Sequence, residues 1–278
     1  MGLRKNTNVP SLAAQRTLSI NNKNQNDNLR KLSSGERITM AADDAAGLAI
    51  SENLKAQIRG VRQASRNAGD AISLIQTAEG GLNEVSNILI RLRELSMQAA
   101  TDTLGDQERS FTDIEFQQLK DEVERIAKST TFNGKKLLDG TSGFMEFQIG
   151  TNNDPNLDRL RYDGATTDTT MGALGITEEN VRTKIGAQTS LQRLDNALVQ
   201  VNGVRADLGA TQNRLSSVVN TLGISDENLS AAKSRVRDVD VASETADLTK
   251  NNILLQAGTA VLSQANNYPN IALKLLNA

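Results

Sequence analysis

Two long stretches of this chain repeat an apolar residue every seven positions, and no proline interrupts either of them. One runs through Leu54, Val61, Ala68, Ile75, Leu82 and Leu89. The other runs through Leu194, Val201, Leu208, Leu215, Leu222, Leu229 and Val236. A repeat held this long keeps one apolar stripe on one side of a helix, and such stripes pack along their length as coiled coils. Proline would break these helices by removing a backbone donor, and it occurs only at Pro10, Pro155 and Pro269. The predicted fold is mainly α: a long antiparallel coiled-coil helical bundle with a small β-hairpin insertion and paired terminal helices.

Composition supports seams rather than a thick globular core. There is no Trp and aromatics are 3% of the residues, so the apolar content is mostly Leu, Ile, Val and Ala. The net charge of −2, with both signs interspersed, gives no nucleic-acid footprint. His and Cys are both absent, which removes catalytic triads, thiol nucleophiles and the common zinc sites. No Gly-rich phosphate loop or nucleophile elbow is present, so neither an enzyme nor a cofactor is expected. MGLRKNTNVP lacks the apolar core of a secretory signal, and no stretch is apolar enough to span a bilayer.

The first helix is expected over 3–33, with Val9, Leu12, Ile20, Leu29 and Leu32 as its apolar positions and a polar NNKNQNDN segment at 21–28. Ser33-Ser34-Gly35 ends it, and Asp43 and Asp44 read as a helix cap and dipole partners rather than metal ligands. A helix from about 45 to about 100 would be ~80 Å long. Thr112-Asp-Ile-Glu115 matches a capping box within a shorter helix over about 106–129, which Phe132-Asn133-Gly134 closes. Between about 131 and 175, Phe144, Phe147, Ile149, Leu157, Leu160 and Tyr162 lie in short alternating runs, predicting one or two β-hairpins. Asn152, Asp154 and Asn156 imitate a calcium loop, but Pro155 and Leu157 stand where that loop tolerates neither. Thr166, Thr167, Thr169 and Thr170 are exposed candidates for sugar attachment. The second long helix is expected over about 177–235. A last helix starts near Asp240 with Val241, Leu248, Leu255 and Leu262 as its seam, and Pro269 marks a kink or end.

Several motifs together resemble the bacterial flagellins. They are LRKLSSGERITMAADDAAGLAISENLKAQIRG (29–60), ASRNAGDAISLIQTAEGGLNEV (64–85), RLRELSMQAA (91–100), FNGKKLLDG (132–140), RADLGATQNRL (205–215) and QAGTAVLSQANNYPNIALKLL (256–276). The resemblance covers nearly the whole chain in order. It implies a structural subunit that polymerises into the flagellar filament, the helical propeller for swimming. Residues 1–35 would form an N-terminal inner-tube helix, 36–44 a connecting loop, 45–235 an outer rod and 236–278 a C-terminal inner-tube helix. The middle of the chain has no room for large surface domains. Asn24, Gln25 and Asn28 depart from the family, where small or apolar residues are usual.

The resemblance also implies partners and sites. The main partner would be the chain itself, as a helical homopolymer in a secreted, extracellular filament. The flagellar export apparatus, an export chaperone, the filament cap and hook–filament junction proteins would be others. Arg91, Leu95 and Glu115 match positions tied to recognition by the innate receptor Toll-like receptor 5. Leu248, Leu255, Leu262, Ile271 and Leu275 would pack the filament core, and residues about 140–165 would act as a shape switch. A hook–filament junction protein is the alternative within the same machine, and an intracellular coiled-coil scaffold is an alternative from another class.

Overall fold

A computed structural model describes residues 7–276, apart from the side chains of 268–276. Helix α1 spans Val9–Ser34, α2 Ala45–Ala99, α3 Asp106–Ser129, α4 Met171–Leu174, α5 Lys184–Arg237 and α6 Val241–Leu276. Four short strands lie between α3 and α4: β1 Thr131–Phe132, β2 Lys135–Lys136, β3 Phe144–Gln148 and β4 Arg159–Asp163. The chain divides into two compact units, 57–227 and a second made of 1–56 with 228–278.

Within 57–227 the heptads become a core. Val61, Ala68, Ile75, Leu82 and Leu89 are buried, and so are the intervening Ala64, Ala71, Ala78, Val85 and Leu92, giving an unbroken three–four spacing along α2. Leu194, Val201, Leu208 and Leu215 of α5 and Phe116 and Val123 of α3 close against the same core. The direction of packing follows from the ion pairs. Arg62 meets Asp226 and Arg93 meets Asp195, so α2 and α5 are antiparallel. Arg91 meets Glu115 while Arg109 donates to the Ala99 carbonyl, so α2 and α3 are antiparallel too. Leu222, on the second seam, is only half-buried.

Local chemistry sets the boundaries and corrects three expectations. Helix α3 begins at Asp106 after an extended Gly105, with Asp106 and Glu108 in its first turn. Thr112 is therefore inside the helix, where its hydroxyl donates to the Glu108 carbonyl and caps nothing. Helix α5 starts at Lys184 rather than near 177, because Thr183 accepts from the Gly186 amide as the cap and 176–183 is an irregular connector. Helix α6 continues past Pro269 to Leu276, so that proline does not end it. Asp44 accepts from the Gly47 amide as the cap of α2, whereas Asp43 turns back to bind the Thr39 and Met40 amides. A Cβ on Gly47 would crowd the capping Asp44 carboxylate and lie 2.8 Å from Ile38 Cδ1, so a larger residue there would displace the cap.

Two antiparallel hairpins occupy 131–163. Asn133 and Gly134, at φ 48° and 77°, make the tight turn between β1 and β2, so FNG forms a hairpin of its own. In the longer hairpin Met145 pairs with Tyr162 and Phe147 with Leu160. Met145, Leu160 and Tyr162 are buried, and the Asn67 side chain of α2 donates to the Gln148 carbonyl. Phe144 and Leu157 point outward, because strand alternation and the loop leave them off the packed face.

In the unit of 1–56 and 228–278, α1 and α6 lie together. Gly35, at φ 71°, terminates α1 with its amide bonded to the Lys31 carbonyl. The following segment is stitched to the end of α5. Arg37 N donates to the Arg237 carbonyl (2.7 Å), and Val239 N donates to the Gly35 carbonyl (3.1 Å). The Arg237 guanidinium pairs with Glu36 and Glu52.

Candidate functional site

The terminal pair meets through a mixed polar and apolar seam, unlike the aliphatic core of 57–227. The face of α1 that meets α6 carries Ser11, Ala14, Leu18, Asn21, Gln25, Asn28 and Leu32, all buried or half-buried at three–four spacing. Of the apolar residues read as its seam, Val9, Leu12, Ile20 and Leu29 are exposed, with Leu12 56% exposed, and Leu32 faces α6. On α6, Leu248, Leu255 and Leu262 are half-buried on the same side as Glu244, Asn251, Asn252, Gly258 and Ala265. Val241, Ile253, Leu254 and Val261 are exposed. Ile271 and Leu275 fall where side chains lie outside the described residues.

The helices run antiparallel and meet through polar rungs. Asn8 donates to the Ala265 carbonyl (2.8 Å), and Ser11 donates to Asn266 Oδ1 (2.7 Å). The Gln25 amide donates to Asn252. With its amide turned to satisfy its neighbours, Asn28 donates to Glu244 (3.1 Å) and accepts from Asn251 (3.2 Å). Between these rungs Leu18 projects toward Gly258, where an added Cβ would sit 3.2 Å from Leu18 Cδ1. The seam thus mixes amides with Leu18, Leu32, Leu248, Leu255 and Leu262, while Val9, Leu12, Ile20, Ile253, Leu254 and Val261 remain exposed outside it.

On the face shared by α2 and α3, Arg91 donates to Glu115 (2.9 and 3.0 Å) and Glu94 (3.0 Å). These hydrogen bonds, Glu115 first, hold the guanidinium above its ordinary pKa. Arg91 and Glu115 are exposed, with Ile90 and Met97 exposed on α2 and Phe111 and Ile114 on α3. Leu95 differs: it is 2% exposed and belongs to the core, because its helical phase matches the buried Leu92 and Ala99 rather than Arg91.

Behind this face lies a buried polar clamp that fastens the connector 176–183. Asp113, 2% exposed, accepts from Val181 N (3.0 Å), Arg182 Nε (2.7 Å) and Gln117 (3.2 Å). Burial pushes its carboxyl up, but those hydrogen bonds and the Arg182 charge prevail and hold it below its usual value. Lys120 donates to the carbonyls of Thr177 (2.7 Å) and Glu179 (2.8 Å) and stands 5.9 Å from the Phe116 ring centroid. Burial lowers its pKa against the opposing charges of Asp113 and Glu179. Glu179 in turn accepts from Ser190 (2.8 Å) and pairs with Arg193.

The hairpin loop uses its acids structurally. Asp154 accepts from the Asn156 and Leu157 amides, and Asp158 accepts from the Asp154 amide. Thr167 and Thr169 are buried rather than exposed: their hydroxyls donate to the Leu137 and Leu138 carbonyls, and Thr170 caps α4. Thr166 is exposed, and its hydroxyl donates to the Asp163 carbonyl. Among the described residues no group of three or more acidic side chains is placed to hold a metal ion, and no helix is long and apolar enough to cross a membrane.

Ser11, Asn252, Asp113, Lys120 and Glu179 were not singled out from the sequence, whereas Gln25 and Asn28 stood out only as polar residues where small or apolar ones were expected. The three–four spacing from Ser11 to Leu32 was a usable signal, hidden because Ser11, Asn21, Gln25 and Asn28 on it are polar.

Residues 6–143 match the family described as "Bacterial flagellin N-terminal helical region", and 191–276 match "Bacterial flagellin C-terminal helical region". The chain is 46% identical over 273 residues to a flagellin of Halalkalibacterium halodurans, covering 98% of each chain. It is 44% identical to the flagellar filament 30.7 kDa core protein of Treponema maltophilum, covering 98% of this chain and 99% of that one. The crystal structure of Bacillus cereus flagellin superposes with a TM-score of 0.51 at 35% identity, over 56% of this chain and 88% of that chain.

Proposed function

The chain belongs to the bacterial flagellin family and is a structural subunit of the flagellar filament, and from that premise we propose that its terminal helix pair carries polymerisation. The observation behind this reading is the exposure of large aliphatic residues on α1 and α6. Leu12, Ile20, Ile253 and Val261 face outward from a seam of mixed amides and leucines, so neighbouring copies offer these aliphatic residues the burial their own pair withholds. Each such side chain fully covered contributes about 1.5–3 kcal/mol, which repeated copies supply many times over. In this reading 1–35 and 236–278 line an inner tube, 36–44 connect, and 45–235 form the outer shaft, with 140–165 as its shape switch. Leu248, Leu255 and Leu262 hold each subunit's pair closed, and Ile271 and Leu275 extend the packing toward the C-terminus.

Export through the flagellar apparatus with a chaperone, and contact with cap and junction proteins, belong to the same proposal. So does recognition by Toll-like receptor 5 through the exposed Arg91 and Glu115, with Leu95 holding the helix beneath them.

Electron microscopy of purified subunit after self-assembly tests polymerisation: long tubes with an axial channel are expected. Ile253→Asp with Val261→Asp should abolish tubes without changing the melting of the soluble chain. Normal tubes from that variant would refute the role of the outer faces.

A further inference from the structure

The apolar repeat of α6 cannot choose its own alignment with α1. Val241, Leu248, Leu255 and Leu262 recur every seven residues, so sliding α6 by one heptad in one direction places Leu255, Leu248 and Val241 opposite Ala14, Asn21 and Asn28. The contacts seen pair positions whose numbers sum to about 276, as in Leu18 with Gly258 and Gln25 with Asn252. A slide one way sets Leu18 against Asn251 where it now meets Gly258. A slide the other way sets Gln25 against Gly258 and removes Asn28 from Glu244 and Asn251.

We propose that the amide rungs Ser11–Asn266, Gln25–Asn252 and Asn28–Asn251/Glu244, with the Leu18–Gly258 fit, are a register lock that selects one antiparallel alignment of the terminal helices. Buried amides contribute little net stability when bonded but cost a full desolvation penalty when their partner is lost. Polar residues at seam positions therefore specify alignment while weakening the pair, compared with leucine in the same places. The proposal rests on the geometry within one chain and does not depend on which polymer that chain builds.

The chain has no cysteine, so disulfide mapping is free of background. Ala14→Cys with Leu262→Cys reports the observed register. Ala14→Cys with Leu255→Cys reports the slid one, whose partners are about 10 Å further along the helix and beyond disulfide reach in the observed register. Both pairs are oxidised in the full chain, soluble and after polymerisation, and intramolecular products are separated from intermolecular ones by mass. With the amides present, the observed-register disulfide should exceed the slid one by roughly tenfold or more. In a Gln25→Leu, Asn28→Leu, Asn252→Leu background, the slid and intermolecular disulfides should rise to comparable yield. Gln25→Asn with Asn252→Gln, which keeps an amide pair, should restore the single register. A single register retained in the leucine background would overturn the proposal, as would equal yields of both disulfides with the amides present.

Discussion

Replacing Asp113 by alanine tests the buried clamp. The substitution removes the acceptor for Val181 N and for Gln117, and Val181 is itself buried. A hydrogen bond to a charged acceptor contributes about 1.5–3 kcal/mol, and the stranded donor adds its desolvation cost. Arg182, whose side chain is 71% exposed, adds at most ~1 kcal/mol because water screens it. Asp113→Ala should therefore lose about 2–4 kcal/mol, Asp113→Asn about 1 because its amide oxygen still accepts, and Arg182→Ala less than either. Urea denaturation followed by a probe within 57–227 gives the energies, and hydrogen exchange at Val181 gives the local opening. A loss of ~2 kcal/mol corresponds to exchange about 30-fold faster at that amide. The pH dependence has a fixed sign. The folded carboxyl lies below its usual 3.8, so its contribution is present at neutral pH and lost only as pH falls through that lowered value. The difference between wild type and Asp113→Ala should hold down to about pH 4 and shrink below it. Unchanged Val181 exchange, or an Arg182→Ala loss equal to that of Asp113→Ala, would refute the reasoning.

Adjacent glycines on α2 should respond oppositely. A Cβ on Gly81 would lie 2.7 Å from Leu138 Cδ1 and 2.8 Å from Thr130 Oγ1, whereas one on Gly80 would meet nothing within 4 Å. Gly81→Ala should cost ~1–3 kcal/mol and Gly80→Ala should stabilise by ~0.5–1, read from thermal melting. Leu95→Ala should lower stability by about 2–5 kcal/mol, while Arg91→Ala should leave the melt nearly unchanged. In a receptor-reporter assay Arg91→Ala should thus lose signal with its fold intact, and a Leu95→Ala loss should follow its melting. A folded Arg91→Ala chain with full signal would remove that residue from the proposed receptor surface.

The α2 and α5 seams, the cap before α2, the span of α3 and the presence of hairpins were legible in the sequence. Each depends on residues close in sequence or on a regular repeat: a heptad has one phase, Asp44 reaches an amide three residues away, and Asn133-Gly134 accepts left-handed backbone. Tertiary structure decided which residues of α1 face inward. Hydropathy placed Val9, Leu12 and Ile20 inside, but α6 presents Asn251, Asn252, Asn266 and Glu244 among its leucines, which satisfy Ser11, Gln25 and Asn28 and favour the face that carries them. It also put Leu95 in the core beside an exposed Arg91, and it joined Asp113 to Val181 at a sequence separation of 68. Helical phase can be read from one segment. Polar partnership depends on what another segment presents, and only the folded chain brings the two together.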